Sequence, residues 1–453
     1  MKRISVNRFY VFPICFSLMM AAGCGSSSNQ SNNDTELLSV VAISRHGIRS
    51  PTSSTASLNQ YTSRPQGFPL WPAPADVPGN LSTFGQRNVT RLGTWYRDYY
   101  TAQGLLPARG VCPASETVFF YADTSERTIQ TAEGYVIGMF QSESNDCGVQ
   151  INSSSENVDP YINTALANLA AGGPGLIDTD GDLKVFNERI GSTPALIAAY
   201  SAQLNMLQAV TQSPTLLSLP AIIAQDGYVR FASGSLFDVA DTLTETFELE
   251  YAQGMPDTNC STTTGAQCVG WGAIPAGGLT DMTKLHVLNM GLTCGLPSFA
   301  QVGSSNLMWQ LTGTMDQTLS GVKNPNVLAP LKSTFSLFVA HDENLLAIAS
   351  FLGGVTWKAE GFQQNDPGPA GALVFELHRV KQSGQLIVRL FYVIASLDQM
   401  RQGTNLNLTT PPQRIPLAIP ACGGLYDCPY DQFKAFIATN VRQDCLITAT
   451  PAQ

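Results

Sequence analysis

Residues able to do acid–base and anion chemistry gather at three places in this chain. Arg45-His46-Gly47-Ile48-Arg49-Ser50-Pro51 sets two guanidiniums around an imidazole. Asp123-Thr124-Ser125-Glu126-Arg127 adds a third guanidinium, and His341-Asp342-Glu343 a second imidazole beside two acids. Guanidiniums are planar forks of N–H donors that fit a tetrahedral oxyanion, and three of them crowded together repel unless an anion lies among them. A histidine supplies a nucleophilic nitrogen and an aspartate a transferable proton. The set suits transfer of a phosphoryl group to a histidine nitrogen and its later release to water. It calls for no metal and no cofactor.

Each cluster closes a short apolar run. Leu37–Ile43 (LLSVVAI), Val118–Ala122 (VFFYA) and Phe335–Ala340 (FSLFVA) read as buried strands. Helical patterns follow at 127–140 and 343–352, and a weaker one at 53–60. Strand, polar turn, helix is the order of an α/β fold, whose ligand crevice lies outside the carboxyl ends of the strands. If the three strands are neighbours, Arg45, His46, Arg49, Arg127, His341 and Asp342 converge there. Leu236, Val239, Ala240, Leu243, Phe247 and Tyr251 recur at helical spacing and predict an amphipathic helix.

RHGIRSP at 45–51 resembles the R-H-G-x-R-x-P signature of the histidine acid phosphatases, and His341-Asp342 their second signature. Asp123 with Glu126-Arg127-Thr128 is similar to the stretch that supplies their third arginine. Leu81, Gly85 and Leu92-Gly93, the segment 243–256 (LTETFELEYAQGMP), and Pro369 with 371–376 extend the likeness, which runs from about residue 37 to 445. The family's bacterial phytases and glucose-1-phosphatases are the nearest in pattern. The resemblance implies His46 as the nucleophile and Asp342 as the proton donor. It implies Arg45, Arg49, Arg127 and His341 as the phosphate ligands. It extends, less directly, to a substrate pocket touched by Thr52, Asp123, Met255, His286 and Glu343. The implied fold is a three-layer sandwich around a mostly parallel sheet, with a smaller inserted α-helical cap. We place the core at 37–150 and 305–453 and the cap at 151–304.

Residues 1–8 carry Lys2, Arg3 and Arg8, and 9–22 are nearly all apolar. Fourteen apolar residues are short for a membrane span, which needs about 20. A charged start, a short apolar middle and Ala21-Ala22-Gly23 before Cys24 fit a signal peptide of lipoprotein type over 1–23. Cys24 would then carry the lipid, and 24–36 would be a flexible tether. The expected location is the bacterial cell envelope, outer membrane or periplasm, or free in the periplasm or medium without the lipid. The lipid on Cys24 is the only membrane contact expected. Removing 1–23 takes the net charge from −9 to −12. No long basic run offsets it, so binding to a nucleic-acid backbone is excluded as a class.

Eight cysteines remain after Cys15 and Cys24, an even count in an exported chain, which points to disulfides. Cys260–Cys268 and Cys422–Cys428 would close short loops. Cys112–Cys147 and Cys294–Cys445 are the expected remainder. Residues 178–182 (DTDGD) look like the start of a calcium loop, but Leu183 and Arg189 stand where Gly and Glu would be needed, so a solvated turn is expected.

Family phytases commonly carry Lys after R-x-P-T; Ser53 stands there. They commonly carry Thr or Ser after HD; Glu343 stands there. Such a loss of positive charge disfavours a substrate bearing up to six phosphates. The expected substrate is an ordinary or sugar phosphate monoester, with phytate as the alternative. A mutase-like phosphotransferase and a non-catalytic surface binding lipoprotein are the readings from other classes. The export signal argues against the first and the intact His46 and Asp342 against the second.

Overall fold

The computed structural model describes residues 34–142, 145–173, 175–255 and 269–447. The signal segment, Cys24, nearly all of the tether and the Cys260–Cys268 pair lie outside the described residues. From Thr35 onward the chain forms one compact unit.

A mixed sheet runs through it. Its strands are β1 (Thr35–Arg45), β2 (Val118–Ala122), β3 (Ile151–Ser153), β4 (Phe335–Ala340), β5 (Ala372–Val380), β6 (Leu386–Ile394), β7 (Gln413–Leu417) and β8 (Cys428–Pro429). The order is β7-β6-β5-β1-β4-β2-β3, with β8 on β6. The half made of β1, β4, β2 and β3 is parallel. The other half is antiparallel. β2 and β4 are buried along their length, and β1 from Ser39 onward, because both faces are covered; helices lie on both sides of the sheet. Arg45 pairs with Ala340 and Ala122 with Val339, so the ends of β1, β4 and β2 are level. That register brings the three polar clusters together.

The helices that matter to the site are α1 (Thr83–Ala102), α2 (Glu126–Phe140), α3 (Leu236–Ala252), α4 (Lys284–Cys294), α5 (Pro297–Ser320) and α6 (Asp342–Phe351). α1 packs closely on α2, and glycine permits it at the signature loop. A Cβ at Gly85 would sit 2.2 Å from the carbonyl oxygen of Ile48, and one at Gly47 2.8 Å from Val89. A second cluster of buried side chains, built from Phe186, Leu207, Phe231, Phe237, Leu243, Phe247 and Leu285, lies apart from the one around the sheet. Both ends of the expected cap contribute to the sheet side instead. Ile151–Ser153 pairs with β2, and α5 packs on β1 and α6.

Disulfides join Cys112 to Cys147 and Cys422 to Cys428. The expected Cys294–Cys445 pair does not form. Both thiols are free and buried, Cys294 in the main core and Cys445 in a separate cluster with Ile177 and Val302. Residues 178–182 are not a solvated turn. Asp178 caps the helix Thr179–Ile190, and buried Asp182 accepts from the backbone N–H of Ser298 and Phe299 at the start of α5.

Candidate active site

The backbone ladder continues past the strand ends and fixes the three loops. His46 donates its backbone N–H to Ala340 (3.0 Å), Asp123 to Val339 (3.0 Å) and Arg45 to Gly371 (2.8 Å). Arg127 projects from the first turn of α2, while Asp342 and Glu343 open α6. The positive end of α6 favours carboxylates there.

His46 is 1 % exposed. Its Nδ1 is 2.9 Å from the Gly47 carbonyl oxygen, which can only accept, so Nδ1 carries the proton and Nε2 the lone pair. Burial, then the charges of Arg49, Arg45 and Arg127, push its pKa well below the usual histidine value. The imidazole is therefore neutral, the form a nucleophile needs. The His46 and His341 ring centroids are 5.6 Å apart. His341 Nε2 lies 2.8 Å from Asp123 Oδ2, and its Nδ1 lies 3.4 Å from the Arg127 guanidinium. Burial works to raise the Asp123 carboxyl, but the His341 bond outweighs it and holds Asp123 at about 2.

Arg45, fully buried, donates to the Pro367 carbonyl (3.0 Å) and to Glu245, and pairs with Asp342 at 2.8 Å. Arg49 pairs with the same Glu245 oxygen at 2.8 Å. The Nε–H groups of Arg45, Arg49 and Arg127 are all buried without a partner among the described residues. Burial works to raise Asp342, yet Arg45, His286 and Arg49 hold it well below the usual carboxylate range. A cavity of about 240 Å³ is lined by His46, Arg49, Asp123, Arg127, His341, Asp342 and Glu343. A larger cleft of about 590 Å³ lies elsewhere, against Val287, Leu288 and Gly291 of α4, and holds none of the signature residues.

The wall facing the arginines is α3, whose polar face carries Asp241, Glu245 and Glu248 at helical spacing. His286 on α4 is buried, with Nδ1 2.5 Å from Asp241 Oδ1; Asn289 Nδ2 donates to the other oxygen of Asp241 at 2.5 Å. Burial opposes charge on His286, but Asp241 prevails and lifts it to about 10. Burial also pushes the Asp241 carboxyl up against the pull of His286. The ion pair stands, because both oxygens of Asp241 accept hydrogen bonds. Glu248 and Asp366 are both buried, and burial raises both carboxyls above their usual values.

Glu245, His286 and Asp342 each offer one donor atom, all within 4.8 Å of one another. A metal needs neutral histidine and free carboxylates. Here the histidine is charged and the carboxylates face Arg45 and Arg49, so the trio fits an ion-pair network better than a metal.

Of the expected pocket residues, Asp123 and Glu343 line the cavity, while His286, Met255 and Thr52 do not. Met255 packs in the core, its carbonyl accepting from Trp271 Nε1 (3.0 Å) and Arg401 (3.1 Å). Thr52 is exposed beside Gly79, off the cavity lining. Glu245 was missed. The apolar face of α3 marked the helix, but its spacing of 241, 245 and 248 on the opposite face was the available signal.

Residues 36–219 match the model of the histidine phosphatase superfamily (branch 2). Within that superfamily, the chain is similar to the histidine acid phosphatases that include phytases and glucose-1-phosphatases. It is 28% identical to Phytase AppA of Escherichia coli (strain K12), over 90% of this chain and 91% of the relative. It is 25% identical to the glucose-1-phosphatase of Salmonella typhimurium, over 90% and 93%. Among solved structures, the apo form of Hafnia alvei phytase superposes with a TM-score of 0.77 at 26% identity, over 91% of this chain and 99% of that one. The phytase of Citrobacter braakii gives 0.77 at 25%, over 91% and 100%. The chain is thus a hydrolase of the phosphatase type.

Proposed function

We propose that this protein is an exported acid phosphatase that cleaves phosphate monoesters through a phosphohistidine on His46, with Asp342 as proton donor. The supporting observation is a neutral His46, its Nε2 carrying the lone pair, among three guanidiniums whose Nε–H groups have no partner among the described residues. The phosphate oxygens take up those donors, beside His341, which Asp123 holds through Nε2. Nε2 attacks phosphorus, the P–O ester bond breaks, and Asp342 gives its proton to the leaving oxygen. Water then attacks phosphorus, Asp342 takes a proton from it, the P–N bond breaks, and His46 returns with inorganic phosphate.

Asp342 must hold a proton in the first step, although Arg45 holds it ionised in the free site. A phosphate dianion offsets the arginine charge and raises the Asp342 pKa. Acid pH acts in the same direction. No step calls on a metal, because the guanidiniums meet the charge on phosphorus.

Export rests on the N-terminal pattern with Cys24, and two disulfides fit an oxidising compartment. Phytate is the second reading, favoured by the likeness to phytases. The test is phosphate release by the whole protein at acid pH in excess EDTA, comparing phytate, glucose 1-phosphate and an aryl phosphate by kcat/KM. Turnover of the monoesters in EDTA, above that of phytate, is expected. No turnover of any ester by folded protein would overturn the reading, and phytate in first place would replace the preferred substrate.

A further inference from the structure

Three carboxylates line the cavity, and they are not equivalent. Asp123 is held by His341 at 2.8 Å and by the Ser125 hydroxyl at 2.7 Å. Asp342 is paired with Arg45. Glu343 makes no side-chain hydrogen bond or ion pair among the described residues, although it is only partly exposed. The cations on the lining, Arg49 and Arg127, both belong to the phosphate clamp. The rest of the lining, from Thr124 to Leu166, is uncharged, and no lysine is part of it. His286 is no spare cation either, since Asp241 takes its charge.

The cavity shares Asn163, Leu166 and Glu343 with a recess of about 30 Å³. Leu169, Ile177, Tyr228 and Phe299 wall that recess, so Glu343 has an apolar side toward the recess and a charged side toward the cavity. A charge in such a place acts strongly on a neighbouring charge, because little water screens it.

We propose that Glu343 selects the leaving group: the site favours monoesters of compact alcohols that bear an ammonium, accepts neutral ones, and turns away alcohols that carry further negative charge. This rests on the monoesterase reading above. Once the ester phosphate holds Arg45, Arg49 and Arg127, a second anion on the substrate meets Glu343 with no cation left on the lining. An ammonium there gives Glu343 its missing partner. Burial raises the Glu343 carboxyl, so the discrimination weakens as pH falls and the group takes up a proton.

The test compares three esters of nearly equal size: phosphoethanolamine, 2-hydroxyethyl phosphate and phosphoglycolate. Values of kcat/KM are taken for the wild type, Glu343→Gln and Glu343→Lys at about pH 6, above the ordinary carboxylate range. An aryl phosphate is assayed in parallel. In the wild type the ammonium ester should lead and the carboxylate ester trail. Glu343→Gln should shrink the ratio between them about tenfold, and Glu343→Lys should invert it. A ratio unchanged by both substitutions, in proteins that still hydrolyse the aryl phosphate, overturns the role of Glu343. A wild type that favours phosphoglycolate overturns it equally. Failure of the folded wild type on the aryl phosphate overturns the monoesterase reading, and this proposal with it.

Discussion

The two walls of the catalytic cleft carry opposite charge and are held by different bonds. The sheet-side wall presents Arg45 at the end of β1, Arg127 on the first turn of α2, and His46, Arg49 and His341 on the segments after the strands, pinned by backbone hydrogen bonds to Ala340, Val339 and Gly371. The facing wall is α3, with Asp241, Glu245 and Glu248, backed by His286 from α4. The helix holds their backbones, and contacts across the cleft orient their carboxylates: Glu245 to the arginines, Asp241 to His286 and Asn289. Backbone bonds involve no group that titrates near neutral pH. Side-chain ion pairs shift with pH and ligand. The bond-making groups therefore sit on the first wall, and those that tune charge on the second. Substitutions on the first should remove turnover, and on the second should move pH dependence.

That difference is sharpened first by His46→Ala. Turnover should fall by about 10⁴-fold or more, as when a covalent nucleophile is lost. The thermal midpoint should stay close to the wild type, since the loop keeps its backbone bonds. An enzyme with substantial residual turnover would break the assignment.

Asp342→Asn should come next. It keeps the shape but gives up the proton, and general acid catalysis is worth about 10²–10⁴-fold. Esters of poor leaving alcohols should suffer far more than aryl phosphates in parallel kcat measurements. Equal losses on both would count against the proton-donor role.

Asp241→Asn tests the second wall with a smaller effect. His286 is lifted to about 10 by Asp241 against its burial. A raised folded-state pKa adds stability that is complete below the unfolded value, about 6.5, and is lost as pH climbs through about 10. The variant's deficit in thermal midpoint should thus be full near pH 6.5, where Asp241 is ionised, and shrink toward pH 10. A deficit that grows with pH would refute the ion pair.

The smallest effect on turnover is expected from Cys112→Ser with Cys147→Ser, far from the cleft. A bridge of this separation, 35 residues, should be worth about 4 kcal/mol of stability by the loop-entropy estimate. Chemical denaturation should register that loss while kcat/KM per folded molecule stays unchanged.

Much of the sheet-side wall was legible in the sequence. The apolar runs 118–122 and 335–340 coincide with β2 and β4, and the run at 37–43 lies inside β1. A buried parallel strand must be continuously apolar, so its end is marked by the first polar residue, and in this fold that end is where ligands bind. The amphipathic helix at 236–251 was equally legible from its apolar spacing. Its acidic face was not. Asp241, Glu245 and Glu248 have the pattern of any solvated helix face, and only packing against Arg45, Arg49 and His286 makes them part of a site.

Thr52 and Met255 went astray for a related reason. Closeness in sequence to a signature or a turn does not say which way a side chain points. The Cys294–Cys445 expectation failed because an even cysteine count fixes neither partners nor pairing, and the two thiols lie in different buried clusters.

The sequence by itself determined the chemistry available: a histidine between arginines, a second histidine beside an aspartate, each at the end of an apolar run. Residue type and local periodicity carry that information, and both are properties of short segments. The tertiary structure alone decided which carboxylates are tied and which is left over. It paired Asp342 with Arg45, Asp123 with His341 and Asp241 with His286, and left Glu343 on the cavity wall without a partner among the described residues. Charge pairing depends on distances across the fold between residues far apart in the chain, and no local pattern encodes them.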